Sequence, residues 1–273
     1  MRPFSECSNE TLRQVSVVLS DIDDTLTEQG LLPSKSLYWM ERMRELGILV
    51  IPVTGRPAGW CDHIARMWSV DAVVGENGAL YFSYDRNARK MLSHFIKDPQ
   101  ERKQDRKRLK KLMNRVLNEV PESGIASDQH YREGDLAIDI CEDVDPLDAE
   151  QIQQILSICH SEGATTKVSS IHINSWYGEY DKLTTTKQCL TNLFGIRAEE
   201  DNAKIIFIGD SPNDMPMFAY FQNSIGVANV KNYNLADSPK WVAQGECATG
   251  FHEVANALVN AHINKESAYG KEP

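Results

Sequence analysis

Two short apolar runs in this chain end in clusters of carboxylates, and this feature restricts the fold most. The first, Val15-Ser16-Val17-Val18-Leu19-Ser20, runs into Asp21-Ile22-Asp23-Asp24-Thr25-Leu26-Thr27. The second, Ile206-Phe207-Ile208, runs into Gly209-Asp210-Ser211-Pro212-Asn213-Asp214. Apolar, β-branched runs of this length read as buried strands. Open α/β sheets bind their ligands at strand carboxyl ends. On an extended segment Asp21 and Asp23 would face one side. Two carboxylates held that close need a cation, or one of them must be protonated. A capped Asp-rich turn accounts for either cluster alone, but two independent clusters weaken that account. An oxygen-only set of this kind suits Mg²⁺.

The intervening pattern supports a sheet. Residues 37–46 read as a helix ended by Gly47, and 48–53 as a second buried strand broken by Thr54-Gly55-Arg56-Pro57. A helix to about residue 67 and strands over 71–74 and 79–82 follow. Strands alternating with helices imply a doubly wound, mostly parallel α/β sheet. Val73-Val74-Gly75-Glu76-Asn77-Gly78-Ala79 reads as a hairpin turn, since Asn-Gly favours type I′ geometry; it carries no expected catalytic role. The pattern changes near Tyr84. Residues 97–115 hold nine Lys/Arg and three Asp/Glu, a local charge of +6 in a chain whose total is −10. Leu109, Leu112, Met113, Val116, Leu117 and Val120 recur there at helical spacing. A strand over 136–141, a helix over 147–160 and one or two strands over 165–175 complete a block of α/β character. The larger pattern then resumes with a helix over 183–194, a strand over 204–208, a helix over 213–220, a short strand over 224–227 and a closing helix over 250–261. The expected division is 1–84 (core), 85–178 (a smaller inserted α/β cap) and 179–273 (core).

Composition excludes several classes. The acidic balance argues against general nucleic-acid binding, which needs cationic surface; the basic segment reads as the solvated face of one helix. No apolar stretch approaches the roughly 20 residues of a membrane span, and the N-terminus lacks a signal peptide's apolar core. Cysteines 7, 61, 141, 159, 189 and 247 form no CxxC pair, so reduced thiols in the cytoplasm are expected rather than zinc or disulfides. The oligomeric state is not encoded in any motif.

Two further sites join the acid clusters. Thr54 offers a hydroxyl, and Gly55 exposes backbone N–H near a helix start, which suits an anion. Lys182, at the start of the helix after the insert, is placed to balance phosphate charge; Lys187, one turn on, is its rival and reads as surface. Together Asp21-x-Asp23-x-Thr25, Thr54, Lys182 and Gly209-Asp210-Ser211-x-Asn213-Asp214 resemble the haloacid dehalogenase superfamily of phosphohydrolases. The insert between Thr54 and Lys182 resembles the sugar-phosphatase branch, which includes sucrose-phosphate, trehalose-phosphate and mannosyl-phosphoglycerate phosphatases and Cof-type enzymes. Leu183 departs from the glycine that follows the lysine in many relatives, and Asp24 from a commoner glycine.

The resemblance implies a phosphomonoesterase acting on a small phosphorylated sugar. Asp21 would be the nucleophile, forming an aspartyl-phosphate, and Asp23 the general acid and base. Mg²⁺ would be held by Asp21, the Asp23 carbonyl, Asp210 and Asp214. Thr54, Gly55, Lys182 and Asn213 would bind the phosphoryl group. In the cap, Arg132, Lys167, Ser169, Ser170, His172 and Asn174 are candidate substrate contacts; His172 and Asn174, two apart on a strand, would share a face. Trp176 and Tyr177 either stack on a sugar or are buried in the hinge. A phosphotransferase or phosphomutase with the same intermediate, or a phosphosugar-binding protein without catalysis, are the alternatives.

Overall fold

The computed structural model describes residues 1–169 and 171–269. In chain order the strands are β1 (Arg2–Pro3), β2 (Val17–Ser20), β3 (Leu49–Pro52), β4 (Val73–Gly75), β5 (Leu80–Asp85), β6 (Lys90–Phe95), β7 (Gly124–Ile125), β8 (Asp135–Asp139), β9 (Thr165–Val168), β10 (His172–Trp176), β11 (Ile205–Gly209), β12 (Asn223–Gly226) and β13 (Trp241–Val242). The helices are α1 (Asn9–Gln14), α2 (Ser34–Glu45), α3 (Ala58–Met67), α4 (Pro99–Glu119), α5 (Ala149–Ser161), α6 (Lys182–Phe194), α7 (Met215–Tyr220) and α8 (Cys247–Tyr269). None is long and apolar enough to cross a membrane among the described residues.

The core is a six-stranded parallel sheet in the order β1-β13-β12-β11-β2-β3. Its two faces bury separate apolar sets, because β2 and β11 alternate residues between them. Val18, Ile206 and Ile208 pack with α2, α3 and α8 on one side. Val17, Leu19, Ile205 and Phe207 pack with α6 and α7 on the other. β2 and β11 are neighbours with Ser20 beside Ile208. Both acid clusters therefore leave the sheet at the same level.

The strands expected over 71–74 and 79–82 exist, but they do not extend this sheet. They form a three-stranded antiparallel sheet, β4-β5-β6, joined to β3 by a bridge from Val53 to Val74 and by hydrogen bonds between Asp71 and Val50. The turn Glu76-Asn77-Gly78 reverses the chain at once, so β5 pairs back on β4 instead of crossing over. Expected position 84/85 falls inside the β5–β6 hairpin. β6 shows no alternation of apolar and polar residues, and most of it is exposed; the sequence reading passed over it. It also passed over β1, β13 and α1, which are too short to show a period.

A second α/β layer stands over the carboxyl end of the core sheet. Its antiparallel sheet runs β7-β8-β10-β9. Leu109, Leu112 and Val116 of α4 and Ile155, Ile158 and Cys159 of α5 pack against Leu136, Ile138 and Ile173 on one sheet face. The cations of α4 lie outward, as in the ion pairs Arg106–Glu133 and Arg115–Glu119. Capping boxes start α4 at Asp98 and α5 at Asp148. Trp176 and Tyr177 are buried, with the Trp176 indole N–H donated to the Tyr180 carbonyl. Tyr177 packs in the cap core and Trp176 against Ala79 and Tyr180, so neither is available to stack on a ligand.

Candidate active site

Asp21 follows β2 directly, and its N–H bonds to the Ile208 carbonyl of β11 (2.9 Å). Asp210 and Asp214 lie just beyond β11. Oxygens of Asp21, Asp210 and Asp214 fall within 4.8 Å of one another, and all three residues are buried. Lys182, the first residue of α6, reaches between them: its Nζ donates to Asp21 Oδ1 and Asp214 Oδ1, each at 2.8 Å. Asp214 Oδ2 accepts the N–H groups of Asp210 (3.0 Å) and Ser211 (3.4 Å), which fixes the turn. Asp210 has only neutral donors, the Thr25 hydroxyl at 3.3 Å and the Asn229 amide at 3.2 Å.

Three buried carboxylates thus face one lysine, and their electrostatics reflect the deficit. Burial pushes the Asp21 carboxyl up to about 7, although Lys182 opposes this. Asp210 is pushed well above the carboxylate range by burial and by repulsion from Asp21 and Asp214. Hard oxygen donors converging on one point with excess negative charge fit a divalent cation such as Mg²⁺. The side chain of Asp23 stands apart from this trio. Arg56 holds it with Nη2 at 2.8 Å from Oδ1 and Nε at 3.1 Å from both oxygens.

The neighbouring turn explains one sequence oddity. Asp24 adopts φ +55°, a left-handed conformation that Asp tolerates better than most residues. It substitutes for glycine as a turn residue. Thr54 is fully buried, and its Oγ1 accepts the Arg56 N–H (3.0 Å), leaving the hydroxyl proton to donate. Gly55 lines the cleft beside it. Lys187, the rival lysine, is half-exposed on α6, paired with Glu199 and stacked on Tyr220.

The cap closes tightly over this set, leaving a narrow cleft lined from both layers. Asp21, Asp23, Gly55 and Asn213 line it from the core; Arg132, Ser169, His172 and Asn174 line it from the cap. His172 and Asn174 do share a face of β10. Lys167 sits opposite Asn174 on β9 but is not among the residues that line the cleft. Ser170 lies outside the described residues.

Four residues tie the cap to the core, and of these only Arg132 is among the candidate substrate contacts. Arg56 contacts Asp23, Glu142 (3.4 Å) and Asp128 (3.7 Å). Arg132 binds Asp128 (3.2 Å), Asp135 (3.0 Å) and the Gly55 carbonyl (2.9 Å). Glu142 Oε2 lies 2.9 Å from His172 Nε2; His172 and Arg56 hold its carboxyl down at about 2. The fourth is Glu76, fully buried at the β4–β5 turn with φ +47°. Its carboxylate accepts the N–H groups of Ala58 (2.8 Å) in the core and of Glu133 (2.9 Å) and Gly134 (2.6 Å) in the cap. Gly78 in the same turn packs so closely on the Asp181 carbonyl that a Cβ would collide with it. The turn therefore touches the Lys182 helix as well. Its one sequence signal was Asn-Gly, which marks a turn and says nothing of the buried acid before it.

A parallel core with strand-end carboxylates, a bridging lysine and an inserted cap defines a class of hydrolase. The model of the haloacid dehalogenase-like hydrolase family matches residues 18–100 and 118–245. The chain belongs to that family. No curated protein sequence matches it. Among solved structures, it resembles protein 0175 of Thermoplasma acidophilum, with a TM-score of 0.67 at 18% identity over 89% of this chain and 98% of that one. It is also similar to the sucrose-phosphatase of Synechocystis sp. PCC6803, solved with sucrose and phosphate, with a TM-score of 0.61 at 15% identity over 90% and 98%. A trehalose-6-phosphate phosphatase related protein gives a TM-score of 0.58 at 15% identity over 92% and 100%. At these identities the likeness is one of fold.

Proposed function

We propose that the protein is a Mg²⁺-dependent phosphomonoesterase that hydrolyses a small phosphorylated sugar or sugar derivative through an aspartyl-phosphate. The observation that carries this reading is the meeting of Asp21, Asp210 and Asp214 around Lys182, beside Asp23 at the floor of a capped cleft. Binding alone requires no such nucleophile. Asp21 Oδ1 is engaged by Lys182, which leaves Oδ2 for in-line attack on phosphorus. As the P–O ester bond breaks, Asp23 gives a proton to the leaving alcohol oxygen. It then takes one from the water that cleaves the acyl phosphate. Three contacts from Arg56 fix that carboxyl group in position. Lys182, the Thr54 hydroxyl, the Gly55 backbone and Asn213 would hold the phosphoryl oxygens. Asp21, Asp210 and Asp214 side chains and the Asp23 carbonyl would hold Mg²⁺, which supplies charge neutralisation for the attack of one anion on another.

In this reading the segment 85–178 is the cap, with the β5–β6 hairpin carrying the chain across the seam, and closure excludes bulk water from the acyl phosphate. The named phosphatases among similar structures support a phosphorylated carbohydrate as substrate. A phosphate-release assay over phosphorylated sugars, disaccharides and glycerate derivatives with Mg²⁺ tests this. Metal-dependent release from at least one sugar ester is expected. Absence of release from every ester, an aryl phosphate included, would reject it.

A further inference from the structure

The cap side of the cleft has a charge arrangement that bears on the leaving group. Two guanidinium groups line it, Arg56 and Arg132. Each is already spent on carboxylates. Arg56 serves Asp23, Glu142 and Asp128, and Arg132 serves Asp128 and Asp135. Arg132 is buried to its tip and also bonds the Gly55 carbonyl, so it cannot turn toward a ligand without breaking the seam. Four carboxylates therefore surround two guanidiniums, and with Asp23 holding the proton it gives to the leaving alcohol three negative charges still face two positive ones. The low pKa of Glu142 is in keeping with its remaining ionised. What lines the cleft beyond these pairs is neutral: Asn174, whose Nδ2 is bound to Asp135 at 2.8 Å while Oδ1 remains to accept, and the hydroxyls of Ser169 in the cap and Ser211 in the core, which are bonded to the His172 backbone and Asn213.

Resting on the phosphatase reading, we infer that this cleft selects a leaving alcohol with no negative charge of its own, a neutral polyhydroxyl group. It discriminates against esters whose alcohol carries a carboxylate or a second phosphate. A second anion would enter a site of low dielectric that holds excess negative charge and no unpaired guanidinium, and like charges so placed repel strongly. A hydroxyl of a sugar or polyol can donate to Asn174 Oδ1, and that bond need displace only water.

The test uses substrates that differ in one group. Hexitol 6-phosphate and the aldonate 6-phosphate share a carbon skeleton and differ by a terminal CH₂OH against a carboxylate; glycerol 3-phosphate and 3-phosphoglycerate form a shorter pair. With Mg²⁺ present, kcat/KM for the neutral member of each pair is expected to exceed that of the anionic member by at least about ten-fold. Glu142→Gln removes one negative charge and should narrow the ratio by about three-fold or more. An aryl phosphate serves as control. If that too is untouched, the phosphatase reading fails on its own, and the same pairs compared by the ligand-dependent rise in Tm still decide the charge inference: a larger rise with the neutral ester supports it. Equal or faster turnover, or equal or larger Tm shifts, with the carboxylate esters overturn it. Loss of such a preference in Lys167→Met would then assign the anion to that lysine.

Discussion

Two acidic clusters flank the cleft, and they solve the same electrostatic problem differently. In the core cluster three carboxylates converge within 4.8 Å around one lysine, and among the described residues no cationic side chain hydrogen-bonds Asp210. In the cap-side cluster Asp23, Asp128, Asp135 and Glu142 are spread out, and each touches a guanidinium. In the proposed reading an added cation completes the first arrangement. The second is held by the protein's own charges and serves to lock cap to core. Buried negative charge by itself is therefore no sign of a metal site; convergence with a missing partner is.

The sharpest way to break this contrast is to remove one carboxylate from each cluster. Asp21→Asn should lose turnover by at least about 10³-fold with the fold retained, because the nucleophile is gone. Phosphate release and a Tm measurement check the two halves of that statement. Wild-type-like turnover would place the nucleophile elsewhere. Asp210→Asn should raise Tm in excess chelator, since it relieves repulsion from Asp21 and Asp214. Asp135→Asn should instead lower Tm, because Arg132 loses a buried partner, a change that costs about 3–5 kcal/mol. A fall in both variants would show that the core cluster is as self-sufficient as the other.

Metal should act on one cluster only. Mg²⁺ at about 100 times its Kd should stabilise the wild type by about 2.7 kcal/mol, and Asp210→Asn should abolish most of that gain. Glu142→Gln should keep it. Scanning Tm against Mg²⁺ concentration for the three proteins distinguishes these outcomes. A Mg²⁺ effect lost equally in Glu142→Gln would mean that the ion sits at the cap side.

The core cluster was legible in the sequence for a physical reason. Each acid follows an apolar run of a central strand, where period and burial leave little choice of structure, and neighbouring parallel strands then bring the two ends together. Lys182 was legible as a helix start. The cap-side cluster was only half legible. The shared face of His172 and Asn174 follows from strand period, but Arg56, Asp128 and Glu142 come from loops, whose side chains meet only after two separate layers dock. Lys167 fits the strand pattern as well as its partner Asn174 does, and that pattern does not tell which of the two lines the cleft. Glu76 was hidden differently: a turn signal gave the local fold correctly while masking a buried acid that spans the seam.

That seam offers a smaller test. Both Glu76 oxygens accept backbone N–H groups, so the amide of Glu76→Gln would point a donor at a donor. A loss of about 1–3 kcal/mol is expected, with KM raised more than kcat is lowered, because the cap closes less firmly over substrate. Urea unfolding and steady-state kinetics read the two effects. An unchanged KM would separate Glu76 from closure and leave it a purely structural acid.

The pH dependence of stability sets the two clusters against each other with opposite signs. In metal-free protein Asp21 ionises at about 7 when folded against 3.8 ordinarily. A carboxyl with a raised folded pKa contributes stability that is present below its ordinary value and lost as pH rises through the folded one. Glu76, also raised to about 7 by burial, adds to the same limb. Glu142 is shifted the other way, to about 2 from 4.5, so its contribution is present above 4.5 and lost as pH falls toward 2. Tm in chelator should therefore decline between about pH 4 and 7, and Mg²⁺ should flatten that decline by compensating Asp21. The acid limb should be weak, below about 1 kcal/mol, because Glu142 is partly exposed and screened by solvent. Glu142→Gln should remove that limb and leave the neutral one untouched. An acid limb that persists unchanged in the variant would assign it to other carboxylates and detach Glu142 from the lock between cap and core.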